Sequence, residues 1–210
     1  AIEKLVELTN SQQADLIVFT GDLVNQQSHE LDAFRSILSR LEAPDGIYSV
    51  LGNHDYGTYY HWKNSREEAD NLQYLRDTQR AMGWQLLDNS HVVLHHHGDS
   101  IALIGVENDG EPPFPQHADL AQATEGTEEM FSILLSHNPT HWRREVLLES
   151  NIDLMLAGHT HAMQMTFFGR SLSSLKYPEW SGMYYEGPRA LYVNVGIGYV
   201  GLPFRFGAWP

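Results

Sequence analysis

The chain has 210 residues, 42% of them hydrophobic, enough for a sizeable core, and we expect one domain spanning residues 1–210. With no cysteine, it excludes disulfides, thiolate nucleophiles and zinc-thiolate sites, which leaves His, Asp and Asn as the good ligand donors. A formal charge of -14 without any basic run argues against nucleic acid as a partner and suits a protein that carries cations. No apolar run reaches membrane-spanning length and no signal peptide is present, so the residues read as a soluble domain.

Residues 2–12 have Ile2, Leu5, Val6 and Thr9 on one helical face, and a short strand then ends at Phe19-Thr20. Over residues 28–41, Leu31, Phe34, Leu38 and Leu41 recur at helical spacing, which predicts a helix with Ser28 as N-cap. Pro44-Asp45-Gly46 turns the chain into a strand at 47–51. After an irregular aromatic span at 56–63 comes an amphipathic helix carrying Ala69, Leu72, Leu75, Gln79 and Met82, ended by Gly83. Short strands are expected at 84–87, 91–97 and 100–106 in an antiparallel or mixed sheet, the last two joined by a hairpin at Gly98-Asp99. Residues 107–129 hold Pro112, Pro113 and Pro115 and read as a surface loop with one short helix rather than a substrate-side flap. A strand at 131–136, a helix from Pro139 to Glu149 with Trp142, Val146 and Leu147 inward, and a strand at 152–157 follow. Met163, Met165 and Phe167 alternate as in a half-buried strand, 172–187 is aromatic without clear period, 190–195 is a last strand, and 196–210 is turn-rich.

Four apolar runs end in polar clusters: Phe19-Thr20 in Gly21-Asp22, Val50-Leu51 in Gly52-Asn53-His54-Asp55, Leu135-Ser136 in His137, and Leu156-Ala157 in Gly158-His159-Thr160-His161. Such groups at the margin of a core are costly unless something charged pairs with them, and in open α/β sheets ligands sit beyond the carboxyl ends of the strands. One carboxylate, one amide and several imidazoles suit Mn, Fe, Zn or Co better than Ca or Mg, and Asp22, the lone carboxylate of the set, could bridge two divalent metal ions. A pair of ions is the usual arrangement for in-line displacement at phosphorus, so the site type points to phosphoester hydrolysis by a metal-activated hydroxide. His54 could protonate the leaving oxygen, with Asp55 orienting its ring.

Gly21-Asp22 with Asn25, Gly52-Asn53-His54-Asp55, Ser136-His137-Asn138-Pro139 and Gly158-His159-Thr160-His161 together resemble, in order and separation over residues 15–165, the signature blocks of the calcineurin-like metallophosphoesterases. The tail Gly196-x-Gly198-x-x-Gly201-Leu202-Pro203-x-Arg205-x-Gly207 resembles the bacterial membrane-anchored branch of that superfamily. The resemblance implies a four-layer αββα sandwich of two mixed sheets. It also implies that Asp22 bridges the metals, that Asn53, His137 and His159 complete one shell, that His161 binds the other ion, and that Asn53 and His54 contact the phosphate. The family's opening strand and Asp-x-His motif do not occur before Ala1, so the first strand is expected to be missing and the ion near His161 weak or absent in these residues. The substrate implied is a small or lipid-linked phosphodiester, pyrophosphate or phosphomonoester, with membrane association of the full-length protein through a segment before Ala1.

His95-His96-His97 reads as a solvated strand end, and His29, His61, His91, His117 and His141 read as surface residues without ligand partners. Tyr177, Trp180, Met183, Tyr184 and Tyr185 could touch lipid or an apolar substrate group, although packing is the plainer role. The competing function is a catalytically impaired scaffold on the same fold, which the presence of His54 and the metal ligands argues against.

Overall fold

Apolar strands stack as two main sheets, and a separate two-stranded hairpin stands beside them. In the computed structural model, which describes residues 2–96 and 98–209, the chain runs α1 (Ile2–Ser11), β1 (Ile17–Phe19), α2 (Arg35–Leu38), β2 (Ile47–Ser49), α3 (Ser65–Ala81), β3 (Gln85–Leu86), β4 (Ser90–His96), β5 (Asp99–Gly105), α4 (Leu120–Thr124), β6 (Phe131–Leu135), α5 (Leu147–Glu149), β7 (Leu154–Ala157), β8 (Thr166–Phe167), β9 (Arg170–Ser171), β10 (Gly182–Glu186) and β11 (Arg189–Val193). One sheet is parallel throughout its described strands, in the order β1-β2-β3. The other is mixed, in the order β10-β11-β7-β6-β5-β4, with parallel pairs inside and an antiparallel pair at each edge.

The period of two along each strand builds three apolar layers. Ile17 and Phe19 of β1 face the helices α1, α2 and α3, whereas Val18 faces the other sheet. On β5, Leu103 joins Tyr48, Val50 and Leu135 between the sheets, while Ala102 and Ile104 pack outward against Trp142 and Val146. Helix, sheet, sheet and helix therefore stack as the four expected layers. The outer layer over β6 and β7 is a π-helical stretch, Trp142–Val146, running into α5, with Trp142 and Val146 buried.

Several local expectations are corrected. Residues 28–41 do not form one helix: a 3₁₀ turn at Ser28–Leu31 precedes α2, and Phe34 is exposed. Ser28 is not the cap, because its amide and hydroxyl both donate to Asn71 Oδ1 of α3, at 2.8 and 2.7 Å, and Glu30 folds back to accept from the amides of Asn25, Gln26 and Gln27. These local bonds outcompete the helical ladder. Met163 is not in a strand, since His161–Gln164 is a tight turn with positive φ at Ala162 and Met163, whereas Met165 is extended and bridges to Phe206 and Gly207 and Phe167 lies in β8. The Gln164 amide pins that turn to the carbonyls of Leu202 and Phe204. β3 leaves the β4-β5 hairpin to join the parallel sheet, and residues 107–129 form the expected loop with α4 inside it. His95 and His96 are exposed as expected, and His97 lies outside the described residues.

Candidate metal centre

The carboxyl ends of β1 and β2 in one sheet meet those of β6 and β7 in the other. Their loops bring Asp22, Asn53, His137, His159 and His161 together. Asp22 Oδ2 lies 3.1 Å from His137 Nε2 and 4.0 Å from His161 Nε2, while His159 Nδ1 lies 2.8 Å from Asn53 Oδ1 and 3.3 Å from His137 Nε2. Ligand atoms of Asp22, His137 and His159 all fall within 4.8 Å of one another. Two glycines permit this approach. A Cβ on Gly21 would stand 2.7 Å from His137 Nδ1, and one on Gly52 would stand 2.7 Å from His137 Cε1. Asp22, His159 and His161 themselves adopt positive φ of 58°, 66° and 49°, a strained choice for non-glycine residues that clusters at functional sites.

The hydrogen-bond network fixes which ring nitrogen faces the centre. His137 Nδ1–H donates to the Thr20 carbonyl at 2.6 Å, leaving Nε2 toward Asp22. With His159 Nδ1 turned inward, its Nε2–H donates to the Tyr177 hydroxyl at 2.9 Å. Such outer partners hold tautomers in metal sites. Burial, then the charge on His137, push His159 down to about 3, and burial holds His161 down at about 4, so both rings offer lone pairs at neutral pH. Burial alone would raise Asp22, but the His137 charge and hydrogen bond outweigh it and hold the carboxyl well below the usual range. Burial likewise opposes a proton on His137, and the Asp22 carboxylate prevails and raises it. His161 Nε2 is buried with no hydrogen-bond partner. An orphaned imidazole nitrogen facing a buried carboxylate is costly unless a cation completes it, so the residues present fit divalent ions.

His54 lies at the margin of this cluster. Its backbone amide donates to Asp22 Oδ1 at 3.0 Å and its Nδ1–H to the Asn25 carbonyl at 2.6 Å. The expectation that Asp55 orients His54 is therefore corrected. Asp55 is fully buried and its carboxylate accepts from the amides of Asp22, Leu23, Val24 and Gly52, at 2.8 to 3.2 Å. It ties the β1 loop to the β2 loop and has no oxygen to spare for the imidazole. Burial, then the nearby Asp22 charge, push its carboxyl up to about 7 against the pull of those amides.

A sequence model of the calcineurin-like phosphoesterases matches residues 1–163. The chain belongs to that family. Among its relatives, a zebrafish transmembrane protein with metallophosphoesterase domain is 32% identical over 213 residues, covering 97% of this chain and 46% of that protein. The uncharacterized metallophosphoesterase YkuE of Bacillus subtilis is 32% identical over 220 residues, 99% of this chain and 69% of its own length. The chain thus spans about half to two thirds of these relatives. In solved structures, the Haemophilus influenzae NAD nucleotidase superposes with a TM-score of 0.57 at 18% identity, over 92% of this chain and 43% of that one, a likeness of fold.

The chain also holds residues near its centre that the sequence reading missed. Tyr177, placed in an aromatic stretch without period, closes over His159, and the Phe114 ring from the long loop meets the same imidazole edge-on at 4.7 Å. Tyr59 donates no local signal, yet its hydroxyl accepts from Asn53 Nδ2 at 2.9 Å and its ring lies 4.6 Å from that of His54. His141 is not a surface residue. It is fully buried, with Nδ1 on Ser136 Oγ at 2.9 Å and Nε2 2.7 Å from Glu145 and 3.4 Å from Asp109. The i, i+4 spacing of His141 and Glu145 was its only sequence signal. Arg144 pairs with the same Asp109 oxygen, which brings a protein cation to this second group.

Proposed function

We propose that the chain is a dinuclear metal-dependent phosphohydrolase domain acting on a small or lipid-linked phosphodiester, pyrophosphate or phosphomonoester. The observation that supports it most is the meeting of Asp22, Asn53, His137 and His159 from four strand ends, with His161 Nε2 orphaned beside Asp22. Divalent ions bound there, of Mn, Fe, Zn or Co type, would activate water and neutralise phosphate oxygens.

Asn53, His137, His159 and Asp22 would hold one ion, and His161 with the shared Asp22 the other. Asn53 would also present its amide to the phosphate, steadied by Tyr59. His54, with Nδ1–H held by Asn25, keeps Nε2 to carry a proton to the leaving oxygen. In the whole protein we place the domain beside a membrane, attached through residues outside those given, in keeping with relatives named as transmembrane proteins. Among the described residues no helix is long and apolar enough to cross one.

The test is hydrolysis of an activated aryl phosphodiester by Mn-loaded protein, with metal content measured on the 210-residue chain. One firmly held ion per chain, weak binding of a second, and loss of turnover in His54→Ala with metal content retained are expected. Absence of hydrolysis in the loaded full-length protein, with His54→Ala altering only partner binding, would favour a scaffold and refute the reading.

A further inference from the structure

The last quarter of the chain carries an apolar face that packing does not explain. Among the described residues, fifteen of the twenty-one exposed large hydrophobic side chains lie between Met163 and Trp209. Those of the β8-β9 hairpin and of the tail at residues 202–206 lie together. The Phe167 ring stacks on Phe206 at 5.3 Å, Met165 bridges to Phe206 and Gly207, and the Gln164 amide holds the carbonyls of Leu202 and Phe204 beneath the same surface. Phe168 at the tip of the β8-β9 hairpin is 106% exposed. Strand-like alternation in the tail sends Phe204 and Phe206 outward and Arg205 inward, where its guanidinium reaches the Val195 carbonyl at 2.9 Å and lies 3.4 Å from His161 Nδ1. The face therefore begins at the margin of the metal centre.

Its charge differs from that of the rest of the protein. Residues 163–210 contain four basic and two acidic side chains, whereas residues 1–162 contain the other nine basic and twenty-five acidic ones. Both acids of the segment, Glu179 and Glu186, are paired with Arg143. Arg170 at the hairpin and Lys176 beside Phe114 thus stand with the apolar face in a chain whose remainder is strongly acidic. Aromatic and aliphatic side chains fringed by basic ones fit the boundary between headgroups and acyl chains of a bilayer, while the acidic remainder would be held away from anionic lipid.

We infer that this face, centred on Phe167, Phe168, Leu202, Phe204 and Phe206, seats on a lipid bilayer and turns the metal centre toward phosphoesters at headgroup level. The docking face is independent of any anchoring segment. It rests on the proposed function only in what it says of the substrate's position.

The test is flotation of the chain with phosphatidylcholine vesicles, with and without phosphatidylglycerol. Wild type should float with both and more with the anionic lipid, and the fluorescence of exposed Trp209 should be quenched by brominated acyl chains. Phe168→Asp should weaken vesicle binding about tenfold or more, as loss of one buried Phe predicts, and Arg170→Glu should remove the gain from phosphatidylglycerol. Hydrolysis of a soluble aryl phosphodiester by both variants should match wild type, so a failure of the phosphoesterase reading stays separate from a failure of this one. Lack of flotation by wild type, flotation of Phe168→Asp equal to wild type, or a lipid-free dimer that Phe168→Asp dissociates would overturn the inference.

Discussion

Replacing Gly52 by Ala tests whether the meeting of strand ends is as tight as the geometry requires. The added Cβ would stand 2.7 Å from His137 Cε1 and 2.5 Å from the Asp22 nitrogen, where ordinary contact begins at 3.4 Å. The Gly52 backbone cannot withdraw freely, because its amide is bonded to buried Asp55 at 2.8 Å. His137 must then move by roughly 0.7 Å, several times the ~0.2 Å over which metal–ligand distances vary. Overpacking of this kind costs about 1–3 kcal/mol of stability, and a displacement near 1 Å at a catalytic centre lowers turnover by about 100-fold. The assay combines urea unfolding of the metal-free chain, calorimetric titration with Mn and hydrolysis of an aryl phosphodiester. Gly198→Ala, where nothing lies within 4 Å of the new carbon, is the control and should behave as wild type. A Gly52→Ala protein with wild-type Mn affinity and turnover would refute the close-approach argument.

Asp55→Ala should destabilise the metal-free chain by about 3 kcal/mol or more, because four backbone amides lose their acceptor, whereas His54→Ala should leave the unfolding midpoint nearly unchanged. Equal midpoint shifts would contradict the roles assigned to the two residues. Because the proton on His137 is favoured by Asp22, metal uptake should release protons, and apparent Mn affinity should fall about tenfold per pH unit below the raised His137 pKa. The contribution of that proton to metal-free stability has the opposite sense: it is fully present below the unfolded value near 6.5 and lost as pH rises through the folded one. Titrations in two buffers of different ionisation enthalpy measure the release, and none detected would count against the Asp22–His137 pair. Glu30 is partly buried, which opposes its ionisation, but the amides of Asn25, Gln27 and Gln26 prevail and hold its carboxyl below the usual value. Its stabilisation, at most about 1 kcal/mol for so exposed a group, should be present above the unfolded pKa near 4.5 and vanish as pH falls through the depressed folded one. Glu30→Gln should thus be less stable than wild type at neutral pH and equal to it in acid, and a difference that persists in acid would count against the assignment.

The sequence by itself determined the donor set and its placement at strand ends. Each signal is local: an apolar run that needs a core, followed within a few residues by Asp22, Asn53, His137 or His159, which need a partner. The layering was implied by the resemblance of the signature blocks, and the two-sided burial of β1, β5 and β6 agrees with it. Only the tertiary structure decided what each polar group meets. Asp55 and His54 are neighbours in the chain, yet Asp55 turns to amides of residues 22–24 and His54 to the carbonyl of Asn25, both in the loop that follows β1. Tyr177 and Phe114 come to His159 from distant stretches, and His141 is buried by Ser136 and by Asp109 from another loop. Residue types set which chemistry is available, and periodicity sets which face is buried. Pairing across long sequence separations depends on how the sheets stack, which no local pattern encodes.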